Sequence, residues 1–94
     1  MEKIAMTNGS GQWFNKETAE KFNEGEHWDG SNNISMATGS QWNHEDLFRT
    51  ASGKWVFHCW SQMQGSIETY EIIDDGFAAK WLITNGRESD IVKD

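Results

Sequence analysis

The densest run of β-forming bulk in the chain is Gly53-Lys54-Trp55-Val56-Phe57-His58-Cys59-Trp60-Ser61-Gln62. In an extended chain Trp55, Phe57 and Cys59 point to one face, and Val56, His58 and Trp60 to the other. Apolar mass on both faces predicts a central strand. Leu47-Phe48-Arg49-Thr50 precedes it, joined by Ala51-Ser52-Gly53. A three-residue loop ending in Gly predicts a hairpin. After a turn over residues 61–66, residues 67–73 form another strand, with Thr69, Glu71 and Ile73 on one face and Glu68, Tyr70 and Ile72 on the other.

The helical period enters at two places. Asp74 is an N-cap for residues 75–85, Gly86 a stop, and Phe77, Ala78, Trp81 and Leu82 make one apolar stripe. Asn15 caps a second predicted helix over residues 16–24, stopped by Gly25, with Ala19 and Phe22 on one face. Residues 3–7 read as a short strand and Asn8-Gly9-Ser10-Gly11 as a turn, so residues 1–11 are either an edge hairpin or a loose arm. Residues 26–33 and 42–45 read as loops, residues 34–37 as a strand, and residues 87–94 as a polar tail. The predicted fold class is α+β: a three- to four-stranded antiparallel meander with two short helices packed on one face. The other face needs cover from the N-terminal segment, or is a binding surface.

Length and composition narrow this picture. Ninety-four residues make a single domain, 1–94, whose small core relies on six Trp and five Phe. Cys59 is the only cysteine, so no disulfide forms within the chain, and a reducing, cytoplasmic setting is expected. No signal peptide and no membrane-spanning run is visible. The net charge of −7 argues against direct nucleic-acid binding and suits an acidic surface that docks on a basic groove.

Trp28-Asp29-Gly30, Ala37-Thr38-Gly39-Ser40-Gln41-Trp42, Gly53-Lys54-Trp55-Val56, Trp60-Ser61-Gln62-Met63-Gln64-Gly65-Ser66 and Ala78-Ala79-Lys80-Trp81-Leu82 carry a resemblance. With Leu47-Phe48-Arg49-Thr50 they resemble a group of small uncharacterised bacterial proteins of about this length, over roughly two thirds of the chain. The resemblance implies an accessory-gene type of protein from a phage, plasmid or genomic island. It brings no activity and no site residue with it.

No motif carries chemistry outright. His58 and Cys59 are neighbours on a strand and point apart, so the imidazole is not placed to activate the thiol, and a lone Cys between Phe57 and Trp60 reads as a small buried hydrophobe. His27, Asp29, His44, Glu45, Asp46 and His58 are metal-ligand types without a metal-binding spacing, so no metal and no cofactor is expected. Asn8-Gly9-Ser10-Gly11 and Thr38-Gly39-Ser40-Gln41 are turns without the phosphate-loop form. The more suggestive set is Trp- and Gln-rich. Trp42 and Trp60 would anchor a partner, Gln62 and Gln64 would flank them, and Glu45, Asp46, Glu68 and Glu71 would supply charge. The expectation is a non-enzymatic acidic protein-binding module, monomer or homodimer, such as an inhibitor of a nucleic-acid-binding defence complex. The alternative is a small-molecule or nucleotide-binding protein, or a small enzyme, using the same patch with His44 or His58.

Overall fold

A computed structural model describes residues 3–7, 9–63, 65 and 67–87. Strand β7 (Trp55–Ser61) lies between β6 (Asn43–Arg49) and β8 (Thr69–Ile73), and β3 (Glu20–Asn23) pairs with the far edge of β6. All three pairings are antiparallel, with Leu47 opposite both Phe57 and Phe22, and Val56 opposite Phe48 and Ile72. Two short hairpins, β1 (Lys3–Ala5) with β2 (Trp13–Asn15) and β4 (Glu26–Trp28) with β5 (Asn33–Ser35), form sheets of their own. A single helix, α1 (Asp75–Thr84), follows β8 among the described residues.

Strand alternation divides the core in two. On one side of the sheet, Phe22, Leu47 and Trp55 pack with Ala78, Trp81 and Leu82 of α1, joined by Phe57 and Ile73. On the other, Phe48, Val56 and Tyr70 pack with Met6 and Phe14 of the β1–β2 hairpin, joined by Ile4, Ala19 and Ile72. Burying a large aromatic contributes up to about 4–6 kcal/mol before ordering entropy is subtracted, so these few rings carry much of the core. Thr7 fixes the hairpin to β8. Its N–H and hydroxyl donate to the Tyr70 carbonyl, and the hydroxyl accepts from Tyr70 N–H at 3.0 Å.

The two-helix, one-face arrangement is not what forms. The protein is mostly sheet, with eight strands in three sheets and one ten-residue helix among the described residues. Residues 16–24 make a turn and then β3, not a helix. Asn15 does use its side chain, but the Oδ1 accepts from Glu17 N–H to form a local turn. Ala19 and Phe22, expected on one helical face, belong to opposite cores. The physical reason is long-range pairing: the helix propensity of Lys and Glu is worth only about 0.5 kcal/mol per residue, and β6 offers Phe22 a partner in Leu47. Residues 26–33, expected as a loop, contain β4, and residues 42–45 contain the start of β6. Residues 1–11 include β1 of a paired hairpin where they are described, while residues 88–94 of the expected polar tail lie outside the described residues.

Local signals produced the elements they should. Asp74 Oδ1 accepts from Phe77 N–H at 2.7 Å and caps α1. Gly53 turns the β6–β7 hairpin at φ 88°, a conformation that favours Gly. Gly25 has a different role from the helix stop first assigned to it. Its N–H donates to Asn85 Oδ1 at 2.9 Å, and an added Cβ would sit 2.8 Å from the Asn85 carbonyl oxygen. The β3–β4 link thus touches the C-terminal end of α1 through backbone; a Cβ would also meet Met36 Sδ at 2.6 Å, which can move aside, but the Asn85 carbonyl cannot. Gly25→Ala should therefore lower stability by about 1–3 kcal/mol in urea denaturation, whereas Gly39→Ala, with open space around it, should act only through its backbone conformation.

Candidate functional site

The β1–β2 hairpin covers only part of its side of the sheet. Beyond it, alternation brings His44 and Asp46 of β6 and His58 and Trp60 of β7 onto the same face, with His44 opposite Trp60 and Asp46 opposite His58. Burying these polar side chains requires partners. Trp60 Nε1–H donates to Asp46 Oδ2 at 2.8 Å, and His58 Nδ1 lies 3.5 Å from the same oxygen. His58 Nε2 pairs with Glu68 Oε1, which also accepts from Tyr70 Oη–H at 2.9 Å. The His58 ring stacks flat on Tyr70, centroids 4.2 Å apart. Its Nδ1, near Asp46, is buried and makes no hydrogen bond among the described residues.

His44 likewise has one nitrogen bonded and one free of a hydrogen bond among the described residues. Its Nδ1 meets Glu24 Oε2 at 2.6 Å, and its ring stacks on Trp60 with centroids 4.5 Å apart. Glu24 follows β3 and is itself fixed: Oε1 accepts from Glu45 N–H at 2.7 Å and from Ser35 Oγ–H at 2.8 Å. A carboxylate only accepts, so Nδ1 carries a hydrogen, and Nε2 is the ring's other polar atom. That nitrogen is buried and has no hydrogen-bond partner among the described residues. Leaving such an atom unpaired costs about 1–3 kcal/mol.

Two open recesses flank Trp60. One, of about 470 Å³, is lined by Lys21, Asn23, Glu24, Glu26, His44, Asp46, Trp60 and Gln62. The other, of about 450 Å³, takes His44 and Trp60 from one face and Glu45 and Cys59 from the other, with Ile67 at its edge. Both lie at the end of the sheet where β6 begins and β7 ends.

Of the residues expected to contact a partner, the fold gathers some and separates others. Asp46, Trp60 and Glu68 belong to one bonded network, and Gln62 lines the acidic recess beside them. Trp42 is exposed next to Gln62, whose N–H donates to the Trp42 carbonyl at 3.0 Å. Glu45 points to the helix side, where it accepts from Trp81 Nε1–H at 3.0 Å. Glu71 is also on the helix side, exposed, opposite Phe57. Gln64 lies outside the described residues. Lys21 and Glu24 were not picked out from the sequence, because they sat in a presumed helix. The alternation of His44-Asp46 against His58-Trp60 was the readable sign that these four share a face.

Electrostatics follow burial and contact. Burial pushes the Asp46 carboxyl up, but contacts with His58 and Trp60 and the nearby Lys21 charge outweigh it and leave it below its ordinary value. The Tyr70 hydroxyl, against slight burial and with His58 beside it, holds Glu68 below its own. Burial raises Glu45 despite the Trp81 bond, and the Glu24 charge adds to the rise. Burial and the neighbouring Glu45 and Glu71 raise the Cys59 thiol, so Cys59 is a poor nucleophile as well as being turned away from His58.

Comparison with protein-family models, curated proteins and solved structures finds no match to this chain. The geometry of the open sheet end therefore carries the functional reading.

A depressed carboxyl gives stability that is complete above its unfolded value, 3.8 for Asp46, and is lost as the pH falls through the lower folded value. The raised Glu45 acts in the opposite sense: its penalty is relieved on acidification. Asp46, the less exposed, should dominate. The urea midpoint should fall below about pH 4, and Asp46→Asn should flatten that fall while costing about 1–3 kcal/mol at neutral pH.

Proposed function

We propose that this chain is a small acidic protein-binding module, and that its docking surface is the sheet end around Trp60. The observation that carries the reading is a group of large apolar side chains left in solvent there. Trp42 is 48% exposed, Met63 56% and Ile67 84%. Trp42 and Met63 flank the end of β7, and Ile67 shares a recess with Trp60. Exposed aromatic and aliphatic anchors around a half-buried Trp are the composition of an interface core.

The chemistry of the partner follows from the rim. Glu24, Glu26 and Asp46 line the acidic recess, against a single cation, Lys21. The whole chain carries −7. A partner segment with Lys or Arg beside apolar side chains would complement both parts of the surface, and long-range attraction would speed its approach. Proteins that hold nucleic acid have such basic grooves. The module would then act by occupying a groove of this kind, in keeping with an accessory-gene inhibitor of a nucleic-acid-binding complex.

Two synthetic peptides of equal length and matched apolar residues, one bearing Arg and Lys and the other Asp and Glu, provide the test by fluorescence anisotropy. The basic peptide should bind and weaken with added salt, and Trp42→Ala and Ile67→Ser should each reduce its affinity by about tenfold. Both residues are exposed, so the fold should survive their replacement. Equal binding of the two peptides, or affinity indifferent to both substitutions, would overturn the proposal.

A further inference from the structure

We propose that the cavity between the β1–β2 hairpin and the β6–β7 turn binds a nucleoside monophosphate, an aromatic base carrying a single phosphate. The cavity has a volume of about 440 Å³, inside the range of about 300–1,000 Å³ that small-molecule sites occupy. Residues of the turn after Arg49 and before Trp55 line it, so it lies at the opposite end of β6 and β7 from Trp60. The cavity is therefore separate from the proposed docking surface, and failure of either leaves the other standing.

The lining decides the class of ligand. No carboxylate faces the cavity, although the chain has fifteen Asp and Glu against eight Lys and Arg. Lys54 lines it instead, exposed and without an ion pair among the described residues. Lys3 Nζ lies 4.9 Å from the centre of the Trp13 ring, which brings a second ammonium to the cavity wall. Two ammonium groups and no carboxylate favour an anion. The apolar lining comes from Phe14 and Val56, both buried, with Ile72, while Trp13 is 52% exposed. A flat ring laid against an indole gains stacking whichever base it is. Gln12 and Asn15 add carboxamides, and Thr18 and Ser52 add hydroxyls, groups that both donate and accept. That mixture suits the edge of a heterocyclic base and the hydroxyls of a sugar better than a plain hydrocarbon. Lys54 as the one lining cation suits one phosphate, and the sequence has no phosphate-loop motif to hold a polyphosphate.

The test is titration of the full chain with the common ribonucleoside monophosphates, by calorimetry and by the Trp13 indole resonance, with the nucleosides and inorganic phosphate as controls. At least one monophosphate should bind as one equivalent with Kd below about 1 mM, shift Trp13, and weaken as salt is added. The matching nucleoside and phosphate alone should each bind at least about tenfold more weakly. Lys54→Gln and Trp13→Ala should each lower the affinity about tenfold, whereas Trp42→Ala, at the sheet end, should leave it unchanged. Lys54 and Trp13 are both exposed, so the fold should survive their replacement. Kd above about 1 mM for every monophosphate, equal binding by the nucleoside or by inorganic phosphate, or affinity unchanged in Lys54→Gln would each overturn the assignment.

Discussion

The contact between the β1–β2 hairpin and the central sheet sets what the rest of the molecule must do. β6 and β7 carry bulky side chains on both faces, so both faces need cover. α1 supplies it on one side through Ala78, Trp81 and Leu82. On the other, Met6 and Phe14 reach Phe48, Val56 and Tyr70, and the remainder of the face is His44, Asp46, His58 and Trp60. Those four are buried or half-buried without an apolar layer over them. They are compatible with the fold because each finds a hydrogen bond, a charge or a stacked ring.

The two histidines meet the same constraint, and each keeps one buried ring nitrogen without a hydrogen bond among the described residues. His58 lies between Asp46 and Glu68 and flat against Tyr70, and reads as structure. His44 is bonded to Glu24 and stacked on Trp60. Trp60 stacks on His44, bonds to Asp46 and borders both recesses. It connects the internal network to the exposed Trp42, Met63 and Ile67. Rigidity within the network and exposed apolar surface at its edge are the properties a preorganised docking surface needs.

What the sequence made legible was local. The facing of residues 55–60, the Gly53 turn and the Asp74 cap each depend on neighbours a few positions away, and each has a residue-level signature. Residues 16–24 defeated the same approach. Asn15, a Lys and Glu run and Gly25 imitate a capped helix, but Phe22 pairs with Leu47 and Gly25 abuts Asn85, far along the chain. That error hid half of the site, because Glu24 and Lys21 were placed on a helix that does not form. Glu45 and Asp46 were read as a joint acidic contact. As strand neighbours they point to opposite faces, one bonding Trp81 and the other Trp60. Alternation applied to His58 and Cys59 was right to separate them. The same rule, applied to residues 44–46, would have divided that pair too.

The six indoles offer the most direct measurement of the central claim, that the sheet end around Trp60 is where a basic partner docks. Each Trp Nε1–H gives its own resonance in a ¹H–¹⁵N correlation spectrum, and a basic, partly apolar peptide can be titrated against all six at once. The account predicts shifts of the Trp42 and Trp60 indoles, with Trp55 and Trp81 in the helix-side core unmoved. Shifts confined to Trp55 and Trp81, or no change at Trp42 and Trp60 at saturating peptide, would contradict it.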